Sequence, residues 1–201
     1  MKRAKVLLAD DHALILDGFR LVLESEYEIV GAVNDGQALV DAAIAEKPDI
    51  IILDVTMPVL NGIHAARQIR RAVPEAKLLF VTMHANPAYL REALNAGGSG
   101  YVLKTSAREE IVSAVHKVLK GEVYITPAME GVSTAGESNT LTVRQLEILK
   151  LIAEGLTAKE ISTRLSISTK TVAFHRERIK RRLGLQTTAQ LTRHAIEEGL
   201  A

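Results

Sequence analysis

The chain contains no cysteine and no tryptophan, and only 3 phenylalanines and 4 tyrosines in 201 residues. Without cysteine there can be no disulfide scaffold, thiol nucleophile or cysteine-ligated zinc. With aromatics at 3%, the core must be built mainly from Val, Ile, Leu and Ala. No apolar run exceeds the four residues of Ile50–Leu53, far short of the roughly 20 that a membrane-spanning helix needs. The start Met1-Lys2-Arg3 is basic, but Asp10 and Asp11 interrupt any signal-peptide apolar stretch, so the expected compartment is the cytoplasm. What is present is ordinary for a folded soluble protein: 47% hydrophobic and 24% charged residues, which excludes a disordered or collagenous chain.

The net charge of +1 averages over unlike parts. Residues 1–120 carry 14 Lys/Arg and 15 Asp/Glu, residues 121–139 carry 3 acids and no base, and residues 140–201 carry 11 bases and 6 acids. A basic tail behind a neutral body points to a polyanionic partner. Composition also divides the chain. Gly121 to Asn139 contains Gly121, Pro127, Gly131, Ser133, Thr134, Gly136 and Ser138, and reads as a linker between domains at 1–120 and 140–201.

In the first domain, short apolar β-branched runs alternate with helical spacing. Strands are expected at Lys5–Ala9, Glu28–Val33, Ile50–Leu53, Lys77–Val81 and Gly100–Leu103. Helices are expected around Leu14–Leu23, after Asp35 as a cap, over Ile63–Val73, near Ala88–Ala96 and over Ile111–Leu119. Five strands alternating with five helices predict a doubly wound, five-stranded parallel sheet of flavodoxin-like α/β type. Ligands of such sheets bind outside the carboxyl ends of the strands.

Those ends carry a specific set of side chains. Asp10 and Asp11 follow strand one, Asp54 ends strand three, Thr82 ends strand four and Lys104 ends strand five. Singly each has a plain explanation; Asp11, for one, suits a helix N-cap. Together they form a pocket. Three converging carboxylates repel one another and call for a cation. A hard divalent ion with oxygen ligands, Mg2+, is the usual answer. A carboxylate nucleophile with a Lys and a hydroxyl to hold phosphoryl oxygens suits phosphoryl transfer. Gly97-Gly-Ser-Gly100 precedes a strand and opens no helix, so it is no dinucleotide loop. The six histidines show no paired ligand spacing.

The segments Leu8–His12, Leu53–Gly62, Val81-Thr82 and Gly100–Lys104 resemble the receiver domain of two-component response regulators, over about residues 3–120. The resemblance implies that Asp54 is the phosphoacceptor, in a chain whose only chemistry is Mg2+-dependent self-phosphorylation and self-dephosphorylation. It implies that Asp10, Asp11, Asp54 and the backbone carbonyl of Thr56 bind Mg2+. Thr82 and Lys104 would contact the phosphoryl group, and Thr82 and Tyr101 would form the switch. Thr56 and His84 stand two positions after Asp54 and Thr82, where the family tunes dephosphorylation. Thr105 follows Lys104 where the wider family commonly has proline.

Residues 140–201 read as a small all-α domain of four helices. The first is Thr142–Ala153, stopped by Gly155. Thr157 and Glu160 form a capping box for a short second helix. Ser166–Thr169 makes a turn into a long basic helix that ends at Leu183-Gly184, and a last helix runs from about Thr188 to Glu198. Six bases against one acid between Thr169 and Gly184 suit phosphate contacts on DNA. Leu141–Gly155, Ala158–Ile161 and Ser168 through Leu183-Gly184 resemble the LuxR-type helix-turn-helix, here at 157–184.

A receiver followed by this domain is similar to the NarL/FixJ class of response regulators. By position, the resemblance implies that Lys170, Thr171, Ala173, Phe174 and Glu177 face the major groove. Lys159, Arg176, Arg178, Lys180 and Arg181 would mostly contact phosphates. Ala173 and Phe174 are apolar where relatives often have a polar reader; Phe174 as a packing residue is the alternative. The expected partners are a sensor histidine kinase, double-stranded promoter DNA and, in the active state, a second copy in a homodimer, with no membrane involved. A rival reading keeps the fold and makes the receiver a phosphorylation-independent dimerisation module. A third, a metal-dependent phosphohydrolase for small molecules, lacks room in the short loops.

Overall fold

The computed structural model describes residues 3–106, 108–130, 141–165, 167–198 and 200. The chain divides into two compact units, Met1–Val132 and Ser133–Ala201.

In the first unit six parallel strands form one sheet in the order β2-β1-β3-β4-β5-β6. They are β1 (Lys5–Ala9), β2 (Glu28–Val33), β3 (Ile50–Leu53), β4 (Lys77–Thr82), β5 (Gly100–Leu103) and β6 (Tyr124–Ile125). The central strands are buried on both faces, as their unbroken apolar sequences require. Val6, Leu8, Ile50, Ile52, Leu79, Val81 and Val102 pack with Phe19 and Leu23 of α1 (Ala13–Leu23) and Ile111, Val115 and Val118 of α5 (Arg108–Leu119). The opposite face, with Leu7, Ile51, Leu53, Phe80 and Tyr101 buried, is covered by α2 (Gly36–Glu46), α3 (Gly62–Ala72) and α4 (Pro87–Asn95).

Two local details differ from the sequence expectation. The sheet has six strands where five were expected. Tyr124–Ile125, placed in the linker by composition, pairs with β5 at Gly100 and Tyr101. A two-residue strand between Gly121 and Pro127 is too short to show periodicity. A 3₁₀ turn follows at Pro127–Met129, with Met129 buried. In addition, His12 and not Asp11 holds the N-cap position of α1, and no side chain caps it. Asp35 does cap α2, accepting from the amides of Gln37 and Ala38.

The second unit has four helices: α6 (Val143–Ala153), α7 (Ala158–Arg164), α8 (Thr169–Leu183) and α9 (Thr188–Glu197). Capping boxes Thr142/Gln145, Thr157/Glu160 and Thr187/Gln190 start α6, α7 and α9. Gly184, at φ +69°, ends α8 in the left-handed region that glycine adopts without strain. Leu146, Leu149, Ile161, Val172, Ile179, Leu191 and Ala195 are buried. Arg144 donates to the carbonyl of Leu165 (2.9 Å), tying α6 to the end of α7. Ser166, in the expected turn, lies outside the described residues, while Ser168 caps α8 by accepting from the Thr171 amide (3.0 Å).

Candidate functional site

Register builds the pocket. Ala9 of β1 lies beside Leu53 of β3, so the next residues, Asp10 and Asp54, emerge side by side. Thr82 of β4 lies beside Leu103 of β5, which sets Lys104 next to them. The Lys104 amide donates to the Thr82 carbonyl (2.8 Å) and the Asp54 amide to the Ala9 carbonyl (2.9 Å), so the chain ends are fixed by backbone bonds.

Asp10 and Asp54 are 1% and 5% exposed, and Thr82 is fully buried. The Lys104 ammonium lies 2.5 Å from Asp10 Oδ2 and 2.8 Å from Asp54 Oδ2. It is the cation that makes two buried acids tolerable. Burial pushes the Asp54 carboxyl above its ordinary range, against the opposing pull of Lys104 and a hydrogen bond from Thr82, while the charge of Asp10 pushes it further up. The two acids hold the Lys104 ammonium above its ordinary range although its own burial acts the other way. Asp54 Oδ1 accepts from the Val55 amide (2.6 Å). Gly62 closes the floor: a Cβ there would stand 1.8 Å from the Asp54 carbonyl oxygen.

Asp11 is more open and lies beside His12, whose Nδ1 is 2.7 Å from Asp11 Oδ1 and 3.3 Å from Asp10 Oδ1. Ligand atoms of Asp10, Asp11 and His12 fall within 4.8 Å of one another. The sequence reading set the histidines aside because none are paired. The signal for His12 was its position directly after the acid pair. Asp10 Oδ2 is a buried oxygen with an ion-pair partner but no hydrogen-bond donor aligned on it.

Around the rim, Thr56 Oγ1 and His84 Nε2 are 2.8 Å apart. The His84 ring stacks on Tyr89, centroids 4.2 Å apart. Tyr101 is fully buried, and its hydroxyl donates to the His84 carbonyl (2.6 Å). Burial pushes its phenol well above the usual range. The His84 amide also donates to Thr82 Oγ1 (3.4 Å), so Thr56, Thr82, His84 and Tyr101 form one bonded cluster.

In the second unit, α8 turns Val172 and Ile179 inward. Lys170, Ala173, Phe174, Glu177, Arg178 and Arg181 are exposed, at the three- and four-residue spacings of one helix face. Thr171, Arg176 and Lys180 are half-buried beside them, and Lys159 is exposed on α7. The Arg182 guanidinium donates to Gln145 Oε1 (3.3 Å), so this base helps hold α8 to α6. Phe174 does not pack into the unit; it is 57% exposed.

Comparison with known proteins gives a family for each unit. Residues 6–116 match the response regulator receiver domain, and residues 139–195 match the luxR family of bacterial regulatory proteins. The chain is 35% identical to the transcriptional regulatory protein MctR of Rhizobium johnstonii, over 98% of this chain and 95% of that one. It is 34% identical to the oxygen regulatory protein NreC of Staphylococcus carnosus, over 98% of each. This chain belongs to the response regulators of the NarL/FixJ class. Among solved structures, the response regulator RcsB of Salmonella typhimurium is similar with a TM-score of 0.80 and 28% identity, over 98% of this chain and 99% of that one. RcsB bound to promoter DNA in the presence of phosphomimetic BeF3- is similar with a TM-score of 0.76 and 30% identity, over 94% and 96%.

Asp10, Asp11, Asp54, Thr82 and Lys104 meet in one pocket, with Thr56 and Tyr101 bonded through His84 at its rim. The clustered ligand atoms of Asp10, Asp11 and His12 are all oxygen except the His12 nitrogen, and the buried Asp10 Oδ2 has no hydrogen-bond donor aligned on it. Both features fit a hard divalent cation. Among the described residues no helix is long and apolar enough to cross a membrane.

Proposed function

We propose that this response regulator is a phosphorylation-controlled, DNA-binding transcription regulator, with Asp54 as phosphoacceptor. The supporting observation is a buried carboxylate at the end of β3, bridged by Lys104 to Asp10, in the same chain as a basic helix-turn-helix. A sensor histidine kinase supplies the phosphoryl group. An Asp54 oxygen attacks phosphorus, the phosphorus–nitrogen bond of the donor histidine breaks, and that imidazole takes up a proton. Hydrolysis by water later returns the carboxylate and releases phosphate. Lys104 exchanges its carboxylate partner for a phosphoryl oxygen, and the Thr82 hydroxyl binds another. Asp10, Asp11, Asp54 and the Thr56 carbonyl would hold Mg2+, which offsets phosphoryl charge when bound.

Moving Thr82 toward the phosphoryl group disturbs its contact with the His84 amide (3.4 Å), and His84 is bonded to Tyr101. That cluster is the element with two arrangements that phosphorylation biases. The active form is a homodimer that presents two copies of α8 to a two-part promoter site. Lys170, Thr171, Ala173, Phe174 and Glu177 face the groove, and Lys159, Arg176, Arg178, Lys180 and Arg181 serve the phosphates.

The test compares DNA affinity of the wild type and of Asp54→Ala, with and without acetyl phosphate and Mg2+. The wild type should incorporate base- and hydroxylamine-labile phosphate and bind tighter, and the variant should do neither. Equal affinity with and without donor would favour the phosphorylation-independent reading.

A further inference from the structure

Phe174 is the large apolar side chain that α8 leaves in solvent. Its neighbours on that face, Lys170, Glu177 and Arg181, are charged, and only Ala173 beside it is apolar. The core does not need it, because Val172 and Ile179 fill the inward positions. The ring has neighbours on its own helix. The Arg178 guanidinium carbon lies 5.5 Å from its centroid, and the His175 ring meets it edge-on at 5.7 Å. An exposed ring in the amino-terminal half of a helix whose face is otherwise polar has the form of a binding contact.

The chemistry of the groove limits what that contact can be. A phenyl ring donates and accepts no ordinary hydrogen bond, so it cannot read the polar edges of guanine, cytosine or adenine. In the major groove the one apolar group on a base edge is the 5-methyl of thymine. We propose that Phe174 is a specificity-determining residue that reads a thymine methyl, with Ala173 leaving space for the base to approach. Arg178, stacked on the ring, fixes it while reaching a phosphate. This inference rests on the reading of α8 as the groove helix.

The test uses the full chain with acetyl phosphate and Mg2+. Duplexes are selected from a random pool, and the enriched duplex is remade with single thymines replaced by deoxyuridine, which deletes only the methyl. Fluorescence anisotropy then gives affinity for the wild type, Phe174→Ala and Phe174→Leu. In the wild type one thymine per half-site should lose about three- to fourfold on replacement, the worth of one buried methyl. Phe174→Ala should bind the thymine and deoxyuridine duplexes equally, and Phe174→Leu should keep part of the difference. A wild type indifferent to every replacement, or a Phe174→Ala protein with the same penalty, overturns the inference and leaves DNA binding standing. A wild type that binds no duplex in a salt-dependent manner overturns the groove-helix reading and this inference with it.

Discussion

Lys104 carries the electrostatics of the pocket, and replacing it by methionine isolates that role. Methionine keeps most of the side-chain volume, so the change removes a charge and leaves little cavity. The ammonium lies 2.5 Å from Asp10 and 2.8 Å from Asp54, and the three side chains are 4%, 1% and 6% exposed. Without it two buried carboxylates face each other unpaired. Removing one partner from a buried ion pair destabilises by about 3–5 kcal/mol. Protonation sets a separate ceiling. A carboxyl with the ordinary value of 3.8 can be neutralised at pH 7 for about 4 kcal/mol, at 1.36 kcal/mol per pH unit. One acid will take that escape, so the two figures agree.

The sign of the pH dependence follows. Losing Lys104 raises the folded-state value of Asp54 further above its unfolded value. The variant is therefore most stable in acid and loses stability as pH rises through that value. At pH 5 the ceiling falls to about 1.6 kcal/mol, so the loss relative to wild type shrinks. All four tyrosines, Tyr27, Tyr89, Tyr101 and Tyr124, lie in the first unit, and there is no tryptophan. Tyrosine fluorescence during urea unfolding thus reports that unit alone. In metal-free buffer Lys104→Met should lose about 3–5 kcal/mol at pH 7 and markedly less at pH 5. A loss below about 1 kcal/mol at pH 7, or one independent of pH, would refute the account. Mg2+ should restore part of the lost stability.

Gly62→Ala should destabilise the same unit by about 1–3 kcal/mol or more, because its Cβ would meet the Asp54 backbone at 1.8 Å; the same urea titration measures it. His175 is held below the usual imidazole range by burial, then by Arg144 and Arg178. A base with a depressed folded value gives stability that is full above 6.5 and falls as pH drops below it. The second unit should therefore weaken between pH 7 and pH 5, and His175→Gln should flatten that trend in calorimetric melts; parallel curves would count against it. Arg178→Ala should lower the slope of log affinity against log salt by about one, and an unchanged slope would remove Arg178 from the phosphate contacts.

Most of the architecture was legible because its signals are local. Ile50–Leu53 is a short, β-branched apolar run, as a strand covered on both faces requires, and the capping pair Thr157/Glu160 places α7 to the residue. The pocket was legible because strand ends in a parallel sheet share one edge. What the sequence hid was non-local or small. The pairing of Tyr124–Ile125 with β5 depends on a neighbour 24 residues away and spans two residues. The place of His12 beside the two acids depends on its leaving the N-cap geometry unbonded. The bond between Thr56 and His84 joins loops 28 residues apart. The exposure of Phe174 settles only once Val172 and Ile179 are seen to fill the core without it.

The sixth strand bears on how the receiver can be cut from the rest of the chain. The Tyr124 amide donates to the Ser99 carbonyl (3.1 Å) and the Thr126 amide to the Tyr101 carbonyl (2.9 Å). The Thr126 hydroxyl, itself buried, donates to Glu110. A fragment ending at Lys120, where helix periodicity stops, would strip these partners away. It would bare the edge of β5 along the segment that carries Tyr101, and an open edge invites strand pairing with another molecule. Self-association of such a fragment would then report a severed edge and say nothing about signalling. A fragment that runs through Glu130 keeps the edge covered.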